Sequence, residues 1–467
     1  MPEYKMLVGG ELVAGDDTME VINPATGKTF AVVPRASKAQ ANQAISAAKI
    51  AQTSWADVAF ADRQAKLTEL ADAIAARGDE LARVLTTEQG KPLTEAQGEV
   101  AWTEGFLRHY ATLELPDRVI QDDENAYVAL QHKPLGVVVG IIAWNFPLLV
   151  ACWKIGPATL AGNTIILKPA PTTPVTALLL GEICHEVFPA GVVNIITDAN
   201  DLGPHLTSHP DVSKVGFTGS TATGKAIAGN TASTLKRITL ELGGNDPAIV
   251  LHDVDVKETA QQIFNNAFLN CGQVCLAVKR AYVHEDIYDA MCEELARLAD
   301  GAIVDDGMNQ GTQIGPIQNK MQFEKVQEFL ETAKRDGNVI AGGEVLDKGG
   351  YFMRPTIVRD VKDGDRIVDE EQFGPILPII SFADDEGVIA RANASEYGLG
   401  ASVWSKDTDR AAAIADRIES GQVWVNQHLA IGPHIPMAGY KSSGLGVEQS
   451  TEGLAEYTQP RVVNIAR

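Results

Sequence analysis

From Gly136 onward, short apolar runs alternate with helical stretches, and this alternation narrows the fold more than any other feature. The runs are Val137–Ile142, Thr164–Leu167, Val192–Ile196 and Lys214–Phe217; after Pro247 come Ala248–Leu251, Arg280–Val283 and Gln422–Asn426. Continuous apolar strands spaced by helix-length segments belong to parallel sheets covered on both faces. The pattern predicts an α/β chain with two parallel-sheet domains and no flexible linker between them. With 467 residues, the chain is long enough for two or three domains with large cores. Upstream, residues 1–35 read as short strands with turns at Gly9-Gly10 and Asn23-Pro24. Ser37 to Thr112 has helical spacing, interrupted at Pro92, and reads as scaffold. Residues 116–133 are more polar, with one strand-like run from Tyr127 to His132.

Charge and cysteine usage exclude several classes of function. A formal net charge of −22 argues against nucleic acid, whose phosphates require a basic surface, and against anionic membrane. The most apolar region, Leu135 to Cys152, is broken by Asn145 and Pro147. It reads as a buried strand and a loop, not as a membrane span. The start of the chain, MPEYKMLVGGELV, has no apolar core of signal-peptide length. The five cysteines are too scattered for a disulfide framework, which points to a reduced, cytoplasmic setting. Cys271 and Cys275 are spaced to share a helical face, but no His or further Cys follows at zinc-ligand spacing, so no metal site is expected.

Chemistry concentrates in a few stretches. Phe268 to Ala277 reads FLNCGQVCLA. Gly272 lets backbone approach closely, and the small apolar residues around Cys275 would keep a thiol nucleophile dry; a buried structural cysteine is the plainer alternative. In TLELGGNDP, Glu241 sits in an apolar setting that would raise its pKa and suit a general base. Asn145, in AWNFP, follows a buried strand and could donate to an oxyanion. Lys168 ends a strand where open α/β sheets bind ligands. Lys214 to Ala226, KVGFTGSTATGKA, places Gly219, Ser220 and Gly224 at a strand-to-helix turn suited to phosphate. It nearly matches a nucleotide-triphosphate P-loop, but Ala226 lacks the hydroxyl that would hold magnesium. In EQFGP, Glu371 and Phe373 could meet a ribose and a flat ring. Singly, each stretch is equally explained as a turn, a cap or an ion pair.

Taken in order, these stretches resemble those of the NAD(P)-dependent aldehyde dehydrogenase superfamily. The resemblance runs from Asn23-Pro24-Ala25-Thr26-Gly27 to Tyr457-Thr458. It is carried by Phe268, Gly272, Gln273 and Cys275 together with Leu240-Glu241-Leu242-Gly243-Gly244, and by later matches such as Gly439-Tyr440-Lys441. It implies that Cys275 attacks an aldehyde, that Asn145 and the Cys275 amide hold the oxyanion, and that Glu241 activates the hydrolytic water. Because coenzyme-A-acylating relatives lack that glutamate, a free acid is the implied product. The resemblance also assigns Trp144, Lys168, Gly219, Ser220, Gly224, Leu242, Glu371 and Phe373 to the cofactor, NAD or NADP. It implies a cofactor domain at 1–114 and 134–243, a catalytic domain at 244–442, and a small bridging element at 115–133 and 443–467. Arg461 to Ile465 would pair with a neighbouring subunit in a homodimer or homotetramer.

The chain departs from the family pattern at several places. Many NAD-preferring members carry a glutamate three residues after the lysine matching Lys168; here it is Pro171, which leaves NADP possible while NAD is slightly favoured. Asn245 stands where lysine is usual. Pro436-Met437-Ala438-Gly439 and Gly446-Val447-Glu448 also differ from the common forms. The expected substrate mouth is Phe146, Leu149, Val150, Trp153, Val274 and the loop Gln427 to His434. It is apolar except for His428 and His434, which read as loop residues. No arginine is present to recruit an acidic substrate, so an aliphatic or aromatic aldehyde is expected. A semialdehyde or lactaldehyde-type specialist is the alternative within the fold. A P-loop hydrolase or a crystallin-like relative without activity would be alternatives outside the reaction.

Overall fold

In the computed structural model of the chain, which describes residues 3–467, the expected alternation forms two sheets. The first has eight strands, in the order Glu11–Val13, Met6–Val8, Val193–Ile195, Thr164–Lys168, Val137–Ile141, Val212–Thr218, Arg237–Glu241, Gly444–Leu445. The strands from Val193–Ile195 to Arg237–Glu241 run parallel, and the outer ones are antiparallel. The central strands Val137–Ile141 and Thr164–Lys168 are buried at every residue, which is why they read as unbroken apolar runs. The second sheet has seven strands, in the order Asn338–Ala341, Thr356–Arg359, Ile376–Phe382, Val278–His284, Asp246–Val250, Gly400–Trp404, Gln422–Val425. Only its first pair is antiparallel.

A third, three-stranded antiparallel sheet joins Arg118–Asp122, Ala126–Pro134 and Thr458–Ala466. The polar character of residues 116–133 concealed the first of these strands, which is exposed throughout. Gly444–Leu445, expected in the bridging element, instead pairs with Arg237–Glu241 at the edge of the first sheet. Among the described residues no helix is long and apolar enough to cross a membrane, and no cluster of His, Cys, Asp and Glu is arranged to hold a metal ion.

The helical region forms Lys38–Ala56, Phe60–Ala76, Gly78–Gln89 and Leu93–Tyr110, with Pro92 ending one helical run before the next. It does more than cover the first sheet. The first amides of a helix lack intrahelical partners and favour a negative charge beside them, and buried carboxylates from this region supply it. Glu88 accepts hydrogen bonds from the Val175 and Thr176 amides, 2.8 and 3.0 Å, at the start of the helix Val175–Val187. Glu99 accepts from the Leu148 and Leu149 amides, 3.0 and 3.2 Å, at the start of the helix Pro147–Leu160. Glu99 also forms a fully buried ion pair with Lys91, 2.6 Å. The Lys91 ammonium donates to the Asn145 carbonyl at 2.9 Å and lies 3.8 Å from the centre of the Phe146 ring.

Lys91 and Glu99 therefore hold the segment Asn145–Leu149 from two sides. Removing one member of a buried pair strands the other's charge, at a cost of about 3–5 kcal/mol. Lys91→Met is expected to destabilise the protein by that order in chemical denaturation, and Lys91→Met with Glu99→Gln is expected to recover part of the loss. Equal stability of Lys91→Met and the wild type would contradict this.

Candidate active site

The two large sheets face one cleft with opposite polarity. The first delivers the carboxyl ends of its strands: Ile142–Asn145, Lys168, Gly219-Ser220 and Leu242–Gly244 follow directly from parallel strands. The second delivers amino ends: Cys275 precedes Val278–His284, and Glu371–Pro375 precedes Ile376–Phe382. Ligands of open α/β sheets bind beyond the carboxyl ends, and here a cavity of about 580 Å³ occupies that position. Its lining includes Trp144, Asn145, Lys168, Gly219, Ser220, Leu242, Cys275, Glu371 and Phe373. Gly224 does not line it. It lies in the helix Thr221–Thr231, where a Cβ would meet the Leu242 side chain at 2.5 Å, so its small size lets the helix rest on Leu242.

The cavity's details fit a dinucleotide. Ser220 caps the helix Thr221–Thr231, its hydroxyl accepting from the Thr223 amide at 3.3 Å, and the positive helix end faces the cavity. A Cβ on Gly219 would lie 2.5 Å from the Phe217 ring, and one on Gly243 would lie 2.6 Å from Glu371 Oε2. Both positions keep the cradle open by lacking a side chain. Glu371 Oε1 accepts from the Gly244 amide at 3.0 Å, and burial raises its pKa. Trp144 and Phe373 meet edge to face with centroids 5.3 Å apart. Lys225, the lysine of the P-loop-like spelling, is exposed on its helix with Glu396 3.9 Å away. The P-loop reading therefore loses its phosphate ligand.

Cys275 sits where this cavity meets a second, narrow apolar pocket of about 40 Å³. The turn before it is strongly determined. Asn270, Cys271 and Gly272 all have left-handed backbone, with φ of 51°, 58° and 72°. The expected helical face shared by Cys271 and Cys275 does not form: Cys271 packs into the core of the second sheet, while Cys275 packs against the first. A side chain at Gly272 would put its Cβ 2.4 Å from the Gly374 carbonyl oxygen. The Asn270 amide donates to Glu95 at 3.0 Å, the Gln273 side chain donates to the Asn270 carbonyl at 2.8 Å, and Lys279 donates to the Gly272 carbonyl at 2.6 Å.

Cys275 Sγ donates to Glu241 Oε2 at 3.7 Å. Glu241 is buried, and its Oε1 has no hydrogen-bond partner among the described residues. Burial pushes the Glu241 carboxyl up to about 8, opposed by Lys154 and reinforced by Glu448. These last two form a buried ion pair of 2.5 Å. The Cys275 thiol is pushed well above its ordinary value by burial and then by Glu241, Asp246 and Glu371, with Lys279 opposing them. Asn145 Nδ2 donates to the Gln273 carbonyl at 3.0 Å, and its second N–H is free among the described residues. The Cys275 amide likewise has no acceptor among them.

The second pocket contains every residue expected at the substrate mouth outside the loop: Phe146, Leu149, Val150, Trp153 and Val274. From the loop Gln427 to His434 it takes Leu429 and Ile431; it also takes Leu276, beside Cys275, and Met437, from the segment that departs from the family pattern, and it adds Trp102 and Thr218, which the sequence did not single out. His428 is buried away from it, bonded to the Leu276 carbonyl at 2.8 Å and to Ser402 at 3.0 Å. His434 meets His109 with ring centroids 6.3 Å apart. Neither histidine lines the pocket. Lys91, Glu95, Glu99, Lys154 and Glu448 were also missed, because nothing in local spacing shows that they converge on the site.

Fold and site together define a nicotinamide-dependent oxidoreductase, and comparison with known proteins gives the family. A sequence model described as "Aldehyde dehydrogenase family" matches residues 12–463. The phenylacetaldehyde dehydrogenase of Pseudomonas fluorescens is 40% identical over 482 residues, covering 99% of this chain and 96% of that protein. An aldehyde dehydrogenase from Bacillus cereus in complex with NAD+ has a TM-score of 0.97 at 37% identity, covering 100% of this chain and 97% of its own. An NADP-dependent enzyme of E. coli has a TM-score of 0.97 at 34% identity, covering 100% and 98%. The chain belongs to the aldehyde dehydrogenase family, whose enzymes oxidise aldehydes with NAD or NADP.

The carboxylates around Cys275 make a specific prediction for the protein without cofactor. Only the thiolate reacts with iodoacetamide. Alkylation of Cys275, followed by peptide mass spectrometry, is expected to be slow at pH 7 and still to rise about tenfold per pH unit at pH 9. A plateau reached below pH 8 would contradict the electrostatics of the site.

Proposed function

We propose that this enzyme oxidises a neutral, apolar aldehyde to its carboxylic acid through a covalent intermediate on Cys275. The observation that carries the proposal is the contact between Cys275 Sγ and Glu241 Oε2, 3.7 Å, where the dinucleotide-sized cavity meets the apolar pocket. The aldehyde enters from the apolar side. Sγ bonds to the carbonyl carbon and its proton passes to Glu241. The new oxyanion accepts hydrogen bonds from the second N–H of Asn145 and from the Cys275 amide. When bound, the nicotinamide supplies the hydride acceptor that lets the thiohemiacetal become a thioester. Glu241 then gives the thiol proton up to solvent and, with Oε1 unpartnered among the described residues, takes a proton from the water that attacks the thioester; the acid leaves, and the departing Cys275 thiolate takes that proton back.

The cofactor is NAD or NADP. The reading places the first sheet and its helices as the cofactor domain and the second as the catalytic domain. Lys168 would meet the adenine ribose, Gly219 and Ser220 the pyrophosphate at the helix end, and Glu371 the nicotinamide ribose. Trp144, Leu242 and Phe373 would wall the reactive end, with Gly224 seating the helix on Leu242. Two further features belong to the same reading. The third sheet leaves Arg118–Asp122 and Thr458–Ala466 as open edges and exposes Val119, Ile120, Val462 and Ile465, which supports assembly as a homodimer or homotetramer. Five unpaired cysteines support a cytoplasmic location.

The pocket favours one substrate class. Among the described residues no lysine, arginine or histidine lines it, so the carboxylate of a semialdehyde would be buried without a partner. The aromatic aldehyde in the name of the Pseudomonas relative is consistent with this. Initial rates of nicotinamide reduction are expected to favour phenylacetaldehyde and medium-chain aliphatic aldehydes over short semialdehydes by about 100-fold or more in kcat/KM, and to vanish in Cys275→Ala. A semialdehyde as best substrate would overturn the substrate class, and turnover in Cys275→Ala would overturn the mechanism. A base whose carboxyl lies near 8 acts only when ionised, so kcat is expected to rise with pH and level off above about 8. A flat profile from pH 6 to 9 would contradict the role of Glu241.

A further inference from the structure

We infer that Asp198 sets the enzyme's choice of cofactor, favouring NAD by neutralising the one cation at the adenosine end of the cavity. The inference rests on the cofactor reading above. Pro171 lines that end and offers no carboxylate of its own. The structure supplies one from a different loop, which follows the strand Val193–Ile195, the neighbour of Thr164–Lys168 in the sheet. Asp198 Oδ1 lies 2.8 Å from the Lys168 ammonium. The same ammonium donates to Asn200 Oδ1 at 3.2 Å and to the Pro169 carbonyl at 3.4 Å. Asp198 is completely buried, and its Oδ2 is fixed by the Leu202 amide at 2.8 Å. It stands behind Lys168 and does not itself line the cavity.

The electrostatic consequence concerns the ribose 2′ position. Apart from Lys168, the only cation lining the cavity among the described residues is Lys325, which donates to the Glu371 carbonyl at the opposite, nicotinamide end. Arg35, near the 198–201 loop, is held by Asp201 at 3.2 Å and Asp17 at 3.4 Å. A 2′-phosphate brings up to two negative charges. It would meet a lysine whose charge is already matched, with a buried carboxylate directly behind it. A 2′-hydroxyl needs only a donor and an acceptor, which Lys168 and Asn200 present. Asp198 acts through Lys168 and is therefore a specificity residue rather than a catalytic one.

Binding tests this without turnover. Quenching of tryptophan fluorescence, to which Trp144 in the cavity contributes, gives Kd values for NAD, NADP, AMP and adenosine 2′,5′-bisphosphate. The wild type is expected to bind NAD at least about tenfold more tightly than NADP, and AMP more tightly than the bisphosphate. Asp198→Asn keeps the shape and an acceptor for the Leu202 amide while freeing the Lys168 charge. It is expected to shift both ratios toward the phosphorylated ligand by about 30-fold, and Asp198→Glu is expected to keep the wild-type preference. Wild-type preference for NADP, or unchanged ratios in a natively melting Asp198→Asn, would overturn the inference and leave the aldehyde dehydrogenase reading intact. Should Asp198→Asn not fold, the wild-type comparison of AMP with the bisphosphate decides alone. Binding of neither dinucleotide would overturn the cofactor reading and this inference with it.

Discussion

A half-buried thiol on the cavity wall and a buried carboxylate, 3.7 Å apart, are the constraint around which this protein is built. Neither group is stable as an anion in a dry site, and each makes the other's ionisation harder. Burial therefore disfavours the ionised form of both groups. The surrounding charges suit that balance. Lys154 opposes the rise of the Glu241 carboxyl, and Lys279 opposes that of the Cys275 thiol, yet neither lies within ion-pair distance of the group it influences. A direct salt bridge would instead favour the ionised form of either group.

Holding that pair requires two sheets to meet with opposite polarity, and the meeting is controlled by backbone. Three successive left-handed residues before Cys275 turn the chain so that Cys271 enters one core and Cys275 faces the other. Such a turn persists only when its surroundings determine it fully. Glu95, Gln273 and Lys279 do so by hydrogen bonds, and the Gly374 carbonyl does so by leaving no room for a Cβ at Gly272. The helices before the first sheet belong to the same device, since Glu95 reaches the turn and the Lys91–Glu99 pair reaches Asn145.

Much of this was legible in the sequence, for reasons that differ between its parts. The strands of the parallel sheets are buried on both faces, so Val137–Ile141 and Thr164–Lys168 announce themselves as apolar runs. Cys275, Glu241 and Asn145 sit in local motifs whose residue types are tied to their chemistry. Arg118–Asp122 escaped notice because an exposed strand has no apolar pattern to show. Cys271 was misjudged because spacing of four residues implies a shared face only if the backbone is helical. Lys91, Glu95, Glu99 and Asp198 are single charged residues in ordinary surroundings. Beyond the Lys91–Glu99 pair itself, their meaning lies in partners such as Asn145, Leu148, Asn270 and Lys168, which no local window contains.

Glu241→Gln tests the central claim, because it removes the group proposed to take both the thiol proton and the water proton while keeping Cys275, Asn145 and both cavities. The decisive measurement is intact-protein and peptide mass spectrometry of this variant after mixing with an oxidisable aldehyde and cofactor. The expected result is a single equivalent of reduced nicotinamide, formed more slowly than in the wild type because the thiol proton must go to solvent, and an acyl group retained on the peptide that carries Cys275. Sustained turnover with no adduct would show that Glu241 does not activate the water, and an adduct on any other residue would show that Cys275 is not the nucleophile.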